Sequence, residues 1–260
     1  MMMKKSYIYI IGIAAALFAA CENISESERL LEVEGVNAQR VVLLEDYTGQ
    51  ACVNCPEAHK EATALHEEYH DNLIIVAMHA GAQAIAAPVG LKQTEGDEYA
   101  DNFGVKTYPI GMVNRRGGLK DYPSWGSAIY DEIQRESQLN INVEASFTNG
   151  KLDVKADLLA LEALSGKLQL WVIEDSIVTF QLSHSGMNPQ YVHNHVFRDA
   201  INGTWGEDVV LTLGEQKIME CNNFELNTAW KPENLSVVAF VYNDNDGVLQ
   251  AAQCKVIINE

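Results

Sequence analysis

Apolar residues change their spacing about halfway along this chain. Up to Ser137, short apolar runs alternate with segments of helical period. Val41-Val42-Leu43-Leu44 reads as a strand. Ala58, Ala62, Leu65 and Tyr69 then recur at three- and four-residue intervals, which predicts an amphipathic helix. Leu73 to Met78 is continuously apolar and predicts a strand buried on both faces. Ala80 to Asp97 is less regular and carries Gly81, Pro88, Gly90 and Gly96, so it reads as a partly helical insertion. Glu98 to Phe103 predicts a short helix, Ile110 to Val113 a strand, and Asn114 to Gly118 a turn. Trp125, Ile129 and Ile133 mark a closing helix.

After Ser137 the period becomes two. Leu139, Ile141, Val143 and Ala145 alternate with polar residues, Asn149-Gly150 signals a hairpin, and Leu152, Val154 and Ala156 alternate again. Leu168–Phe180, Asp208–Leu213, Leu235–Tyr242 and Val248–Ile258 are further strand candidates, with a turn at Asp244 to Gly247. Many strands without a long helix predict an antiparallel sandwich. The fold class expected is therefore α/β over residues 38–137, followed by a β-rich, sandwich-like domain over 138–260.

The start of the chain reads as an export signal, residues 1–20. Lys4 and Lys5 precede an apolar stretch, Ile8 to Ala20, too short to span a bilayer comfortably. It ends in Leu17-Phe18-Ala19-Ala20-Cys21, which resembles a bacterial lipoprotein cleavage site. That resemblance implies lipidation of Cys21, with palmitate-type acyl chains. An ordinary signal peptide is the alternative. Residues 21–37 then read as a solvated acidic tether. The formal charge is −18, and losing the two lysines makes the mature chain more acidic still. Such a chain repels nucleic acid and anionic lipid surfaces, so attachment to a membrane falls to acyl chains.

The chemistry concentrates in Cys52-Val53-Asn54-Cys55-Pro56, between the first strand and the first helix. A CxxC at such a junction suits thiol–disulfide exchange. Helix amides and the helix dipole stabilise a thiolate at Cys52, the nucleophile, while Cys55 sits inside the first turn as the resolving thiol. Pro56 is tolerated because that turn needs no internal amide bond. Export leaves the pair free to be oxidised, reduced or cycling. Cys221 and Cys254 either form a structural disulfide or stay as two separate thiols.

Three features resemble the thioredoxin fold: the strand–CxxC–helix unit, the stretch Gly104-Val105-Lys106-Thr107-Tyr108-Pro109, and Asp46 six residues before Cys52. The resemblance implies a cis Pro109 beside the cysteines and a buried Asp46 that relays a proton to Cys55. A solvated carboxylate at the strand end is the other reading of Asp46. Ala51 and Val53-Asn54 depart from the residues common in thioredoxins. The wider arrangement adds Leu44-Glu45-Asp46-Tyr47-Thr48-Gly49, Cys55-Pro56-Glu57-Ala58-His59, Met78-His79-Ala80-Gly81 and a β-rich second half. It resembles the outer-membrane-protein-28-like lipoproteins of Gram-negative anaerobes. The resemblance implies an outer-membrane location, on the periplasmic or cell-surface face.

The expected site is thus Cys52, Cys55, Pro109 and Asp46, acting on protein or small thiol partners as a thiol–disulfide oxidoreductase. The rival is a surface binding or structural lipoprotein whose CxxC is a static bridge. Cys52, Cys55 and His59, with His79 near, have metal-like spacing, as do His193 and His195 with His184. Solvated or satisfied histidines are the simpler reading, so no metal and no cofactor is expected. Gly117-Gly118 is no phosphate loop, and Ser183-His184-Ser185 lacks a nucleophile-elbow context.

Overall fold

The computed structural model describes residues 39–259. The export segment, Cys21 and the acidic tether lie outside them. β1 (Val42–Thr48), α1 (Cys55–Tyr69), β2 (Leu73–His79), α2 (Thr94–Asn102), β3 (Ile110–Val113) and α3 (Trp125–Ile133) come first. β1 and β2 pair in parallel, and β3 runs antiparallel to β1. Every residue of β1 and β2 is buried. One face packs Val42, Leu44 and Ile75 against Ala58, Ala62 and Leu65 of α1 and Trp125 and Ile129 of α3. The helical periodicity of the sequence is this contact.

Strands follow: β4 (Leu139–Thr148), β5 (Lys151–Ala160), β6 (Leu164–Glu174), β7 (Ile177–Ser183), β8 (Gly186–His193), β9 (Val196–Ala200), β10 (Glu207–Leu211), β11 (Gln216–Glu225), β12 (Leu235–Asn243), β13 (Gly247–Lys255) and β14 (Ile257–Ile258). Asn149 and Gly150 join β4 to β5 with φ of 51° and 84°, the left-handed pair that a tight hairpin needs. The fold is β-rich with mixed sheets. One sheet has the order β13-β12-β6-β9-β2-β1-β3, with β10 also on β6; a second has β11-β5-β4-β14; β7 and β8 pair only with each other. Leu139, Val143, Leu152 and Val154 of the second sheet share a core with Leu170, Val172, Val237 and Leu249 of the first. This is the sheet-on-sheet packing that the alternating pattern predicts.

The change from mixed helix and strand to strand alone falls between α3 and β4. The first sheet nevertheless draws its strands from both sides of that change. β2 meets β9 at Ala77 and Val196, where the Ala77 amide donates to the His195 carbonyl at 2.8 Å. Leu43, Tyr47, Val76 and Tyr99 share a core with Trp171, Phe197 and Phe240.

The expected strand Leu168–Phe180 is two strands. The chain breaks at Ser176, which has φ of 60° and whose amide is capped by Asn194 Oδ1 at 2.9 Å. β8, β9 and β11 have no counterpart among the expected strands; β8 and β11 are largely exposed and polar. α2 starts at Thr94, four residues before the expected helix. Cys221 and Cys254 are both free thiols. Among the described residues, no helix is long and apolar enough to cross a membrane.

Candidate functional site

The turn between β1 and α1 carries the two cysteines, and they are joined as a disulfide with Cα atoms 5.4 Å apart. The loop is held tightly. The Cys52 amide donates to the Gly49 carbonyl, and the Ala51 amide to the Gln83 carbonyl at 2.9 Å. A Cβ on Gly49 would lie 2.3 Å from the Gln83 backbone, so only glycine lets the two loops approach this closely. Asn54 caps α1 without a side-chain bond to the helix; its Oδ1 meets His184 Nε2 at 2.8 Å instead. Pro56 lies in the first turn, as its missing amide permits. The Tyr108–Pro109 bond is cis and leads into β3. Tyr108 packs against Gly81, where a side chain would meet its hydroxyl.

The β7–β8 hairpin lies over this loop. The Leu182 amide donates to the Gln50 carbonyl at 2.8 Å. Gln181 Nε2 donates to the Cys52 carbonyl at 3.0 Å and to the Gly49 carbonyl at 3.2 Å. Gln50 Nε2 returns a bond to the Phe180 carbonyl at 3.3 Å. Cys52 is left 4% exposed and Cys55 fully buried. Gln181 and the hairpin were not legible in the sequence as parts of the site, because they follow the CxxC by more than a hundred residues.

Between β1, β2, α1 and β8 lies a cavity of about 80 Å³ lined by Asp46, His59, His79, Tyr191, His193 and His195. Asp46 is 1% exposed, so the buried reading of this residue is the right one. Its Oδ2 is 3.7 Å from His59 Nε2, and its Oδ1 has no hydrogen-bond partner among the described residues. His59 Nε2 is 3.0 Å from Thr48 Oγ1, and its Nδ1 is 2.9 Å from the Tyr191 hydroxyl. His79 and His193 meet edge to face with ring centres 5.3 Å apart. Neither nitrogen of His79 and not Nδ1 of His193 has a partner among the described residues.

Burial sets the charge of this cavity. With no cation bonded to it, Asp46 is pushed up to about 8 by desolvation. Desolvation takes His59 down to about 3, helped by His193 and His195, and takes His193 down to about 4. His79 falls well below the ordinary range for the same reason, with His193, His59 and Arg198 adding to it. Burial thus favours the proton on Asp46 over His59 and disfavours charge on the imidazoles.

Among the described residues, no group of three or more His, Cys, Asp or Glu is placed to hold a metal ion. Of the residues with metal-like spacing, Cys52 and Cys55 bond to each other and His184 lies against Asn54, while His59, His79, His193 and His195 line the one cavity.

The family model of outer membrane protein Omp28 matches residues 96–260. The match includes Pro109 and the strand-rich half, and it starts after the CxxC. The solved structure of HBP35 of Porphyromonas gingivalis is similar at a TM-score of 0.71 and 14% identity, over 84% of this chain and 76% of that one. A structural-genomics protein of Agrobacterium tumefaciens is similar at a TM-score of 0.51 and 15% identity, over 82% of this chain and 94% of that one. Both are likenesses of fold. No curated protein matches by sequence.

Proposed function

Because this chain belongs to the outer membrane protein Omp28 family, we propose that it is a lipid-anchored protein whose Cys52–Cys55 pair exchanges disulfides with extracytoplasmic protein or small thiol partners. The family implies association with the outer membrane. Anchoring rests on Cys21 alone. Cys21→Ser is expected to abolish acyl labelling and to release the mature protein into the soluble fraction; unchanged labelling would refute the anchor.

Several features support a thioredoxin-like reading of the first half. β1 and β2 are parallel with β3 antiparallel beside β1, α1 opens at the second cysteine, and a proline leads into β3. One observation carries the exchange reading: Asp46, a buried carboxyl with an oxygen left unpartnered, two residues before the end of the strand that leads to the cysteines. A bridge that only braces the fold gains nothing from such a costly group, whereas a sulfur that alternates between thiol and disulfide needs a proton source.

The static-bridge reading draws on a different observation, the burial of both sulfurs under the β7–β8 hairpin. The two readings part in one experiment. Native protein is treated with dithiothreitol and trapped by alkylation. Exchange requires the hairpin to open, so Gln181→Ala should speed reduction by roughly fivefold for each bond worth about 1 kcal/mol that is lost. Cys52→Ser should abolish exchange, and Cys55→Ser should trap a mixed disulfide at Cys52. A pair that stays oxidised until the whole protein unfolds, with or without Gln181, makes the bridge static.

A further inference from the structure

We propose that His59 and Tyr191 form the proton path between buried Asp46 and solvent on which exchange at Cys52 and Cys55 draws. This rests on the exchange reading. A carboxyl that gives up a proton in each cycle must regain one, and Asp46 is only 1% exposed. The titratable side chain set against it is His59, one helical turn after Cys55 and on the same face of α1. The other ring nitrogen of His59 meets the Tyr191 hydroxyl at 2.9 Å. These two side chains line the inner cavity and also an open cleft outside, beside Lys60 and Glu67. Together with Thr63 they line both spaces. The 3.7 Å gap from His59 to Asp46 is of the kind that tightens when a site engages its substrate. The remaining titratable groups facing His59 are His79 from β2, His193 from β8 and His195 before β9. Burial lowers the pKa of each, which disfavours a fixed charge along the pathway.

The chemistry balances as follows. A partner thiolate attacks Cys52 Sγ and the Cys52–Cys55 bond breaks. Cys55 leaves as a thiolate and takes the proton of Asp46. In the same step the Asp46 carboxylate is reprotonated by His59 Nε2–H, His59 Nδ1 takes the Tyr191 proton, and the cleft solvent returns one to Tyr191; reoxidation of the pair runs the path backward and restores the Nε2–H form of His59. A second partner thiolate attacks the mixed disulfide, and Cys52 leaves and is protonated from solvent. The partner thiols lose two electrons and two protons; the protein pair gains both.

The test follows dithiothreitol reduction of the full chain from pH 6 to 9, comparing wild type with His59→Ala, His59→Gln and Tyr191→Phe. Loss of a proton path of this kind slows the step by about 10²-fold or more. His59→Gln can keep contacts to Thr48 and Tyr191 but passes no proton, so it is expected to be slow while folding normally. His59→Ala opens a gap onto the cleft, and added imidazole should restore its rate in proportion to concentration. Tyr191→Phe should be slowed and should not respond to imidazole. A wild-type rate in His59→Gln, or a slow His59→Ala that imidazole leaves unchanged, overturns the path while exchange itself stands. A wild-type protein that is not reduced at any pH overturns the exchange reading, and the path with it.

Discussion

Arg115→Met is expected to cost about 3–5 kcal/mol of folding stability, the usual result of stranding one member of a buried ion pair. Arg115 and Glu45 are 4% and 0% exposed, and Arg115 Nε lies 2.7 Å from Glu45 Oε1. The other Glu45 oxygen accepts from the Tyr47 hydroxyl at 3.0 Å. Both Nη atoms of Arg115 lack hydrogen-bond partners among the described residues. Their compensation is aromatic: the guanidinium carbon lies 4.5–5.6 Å from the ring centres of Tyr99, Phe103, Trp171, Phe240 and Tyr242. Methionine fills part of the space but leaves the Glu45 carboxylate buried without a cation. Glu45→Gln in the same chain should recover much of the loss. Urea titration of the single and double variants measures both. A loss below about 1 kcal/mol for Arg115→Met would mean that the pair does little.

The same cage bears on how the chain divides. Tyr99 and Phe103 precede the change of pattern at Ser137; Trp171, Phe240 and Tyr242 follow it. A fragment of residues 39–137 keeps Arg115 and Glu45 but loses three of the five rings, together with the strand beside β2. It is expected to melt without a cooperative transition, and a sharp melt would show that the first half folds by itself.

Much of this was legible in the chain because it is local. The CxxC, the helix behind it and the β4–β5 hairpin follow from short-range spacing and turn chemistry. Asp46 was ambiguous for a physical reason. β1 is buried on both faces, so alternation carries no information, and the adjacent Glu45 and Asp46 look like a solvated strand end. Glu45 finds Arg115, seventy residues on; among the described residues Asp46 finds a histidine and no cation partner. The β7–β8 hairpin was illegible for the opposite reason. β8 is polar and mostly exposed, so no period marks it, and β7 reads as the end of one longer strand; the role of the hairpin comes from Gln181 reaching the CxxC loop and Tyr191 reaching α1, both far back in the chain. His193-Asn194-His195 did stand out, although as possible ligands. Their packing around one cavity is what the spacing reflected.

Asp46→Asn is expected to change the pH dependence of stability more than its midpoint. The Asp46 carboxyl, pushed up to about 8, holds its proton in the folded chain and loses it near 3.8 when unfolded. Its contribution is complete at low pH and is lost as pH rises through about 8. The buried histidines act in the other direction. His59 and His193, pushed down to about 3 and about 4, stay neutral when folded but bind protons below 6.5 when unfolded. Their contribution is complete above 6.5 and is lost as pH falls. His79 adds to that loss. Below 6.5 the unfolded chain binds more protons from this cluster than the folded one, and above 6.5 it binds fewer. Stability due to the cavity should therefore peak near pH 6.5. Between pH 6.5 and 8 the Asp46 proton lowers stability by up to about 1.4 kcal/mol per pH unit, or up to about 2 kcal/mol in all. Asparagine has no proton to lose, so the stability of the variant relative to wild type should rise by that much across the interval. Groups common to both proteins cancel in the difference. Urea midpoints of the two proteins at pH 6.5 and 8 measure it. Parallel curves would mean that Asp46 is already ionised in the folded chain, and a proton donor for Cys55 would have to be sought elsewhere.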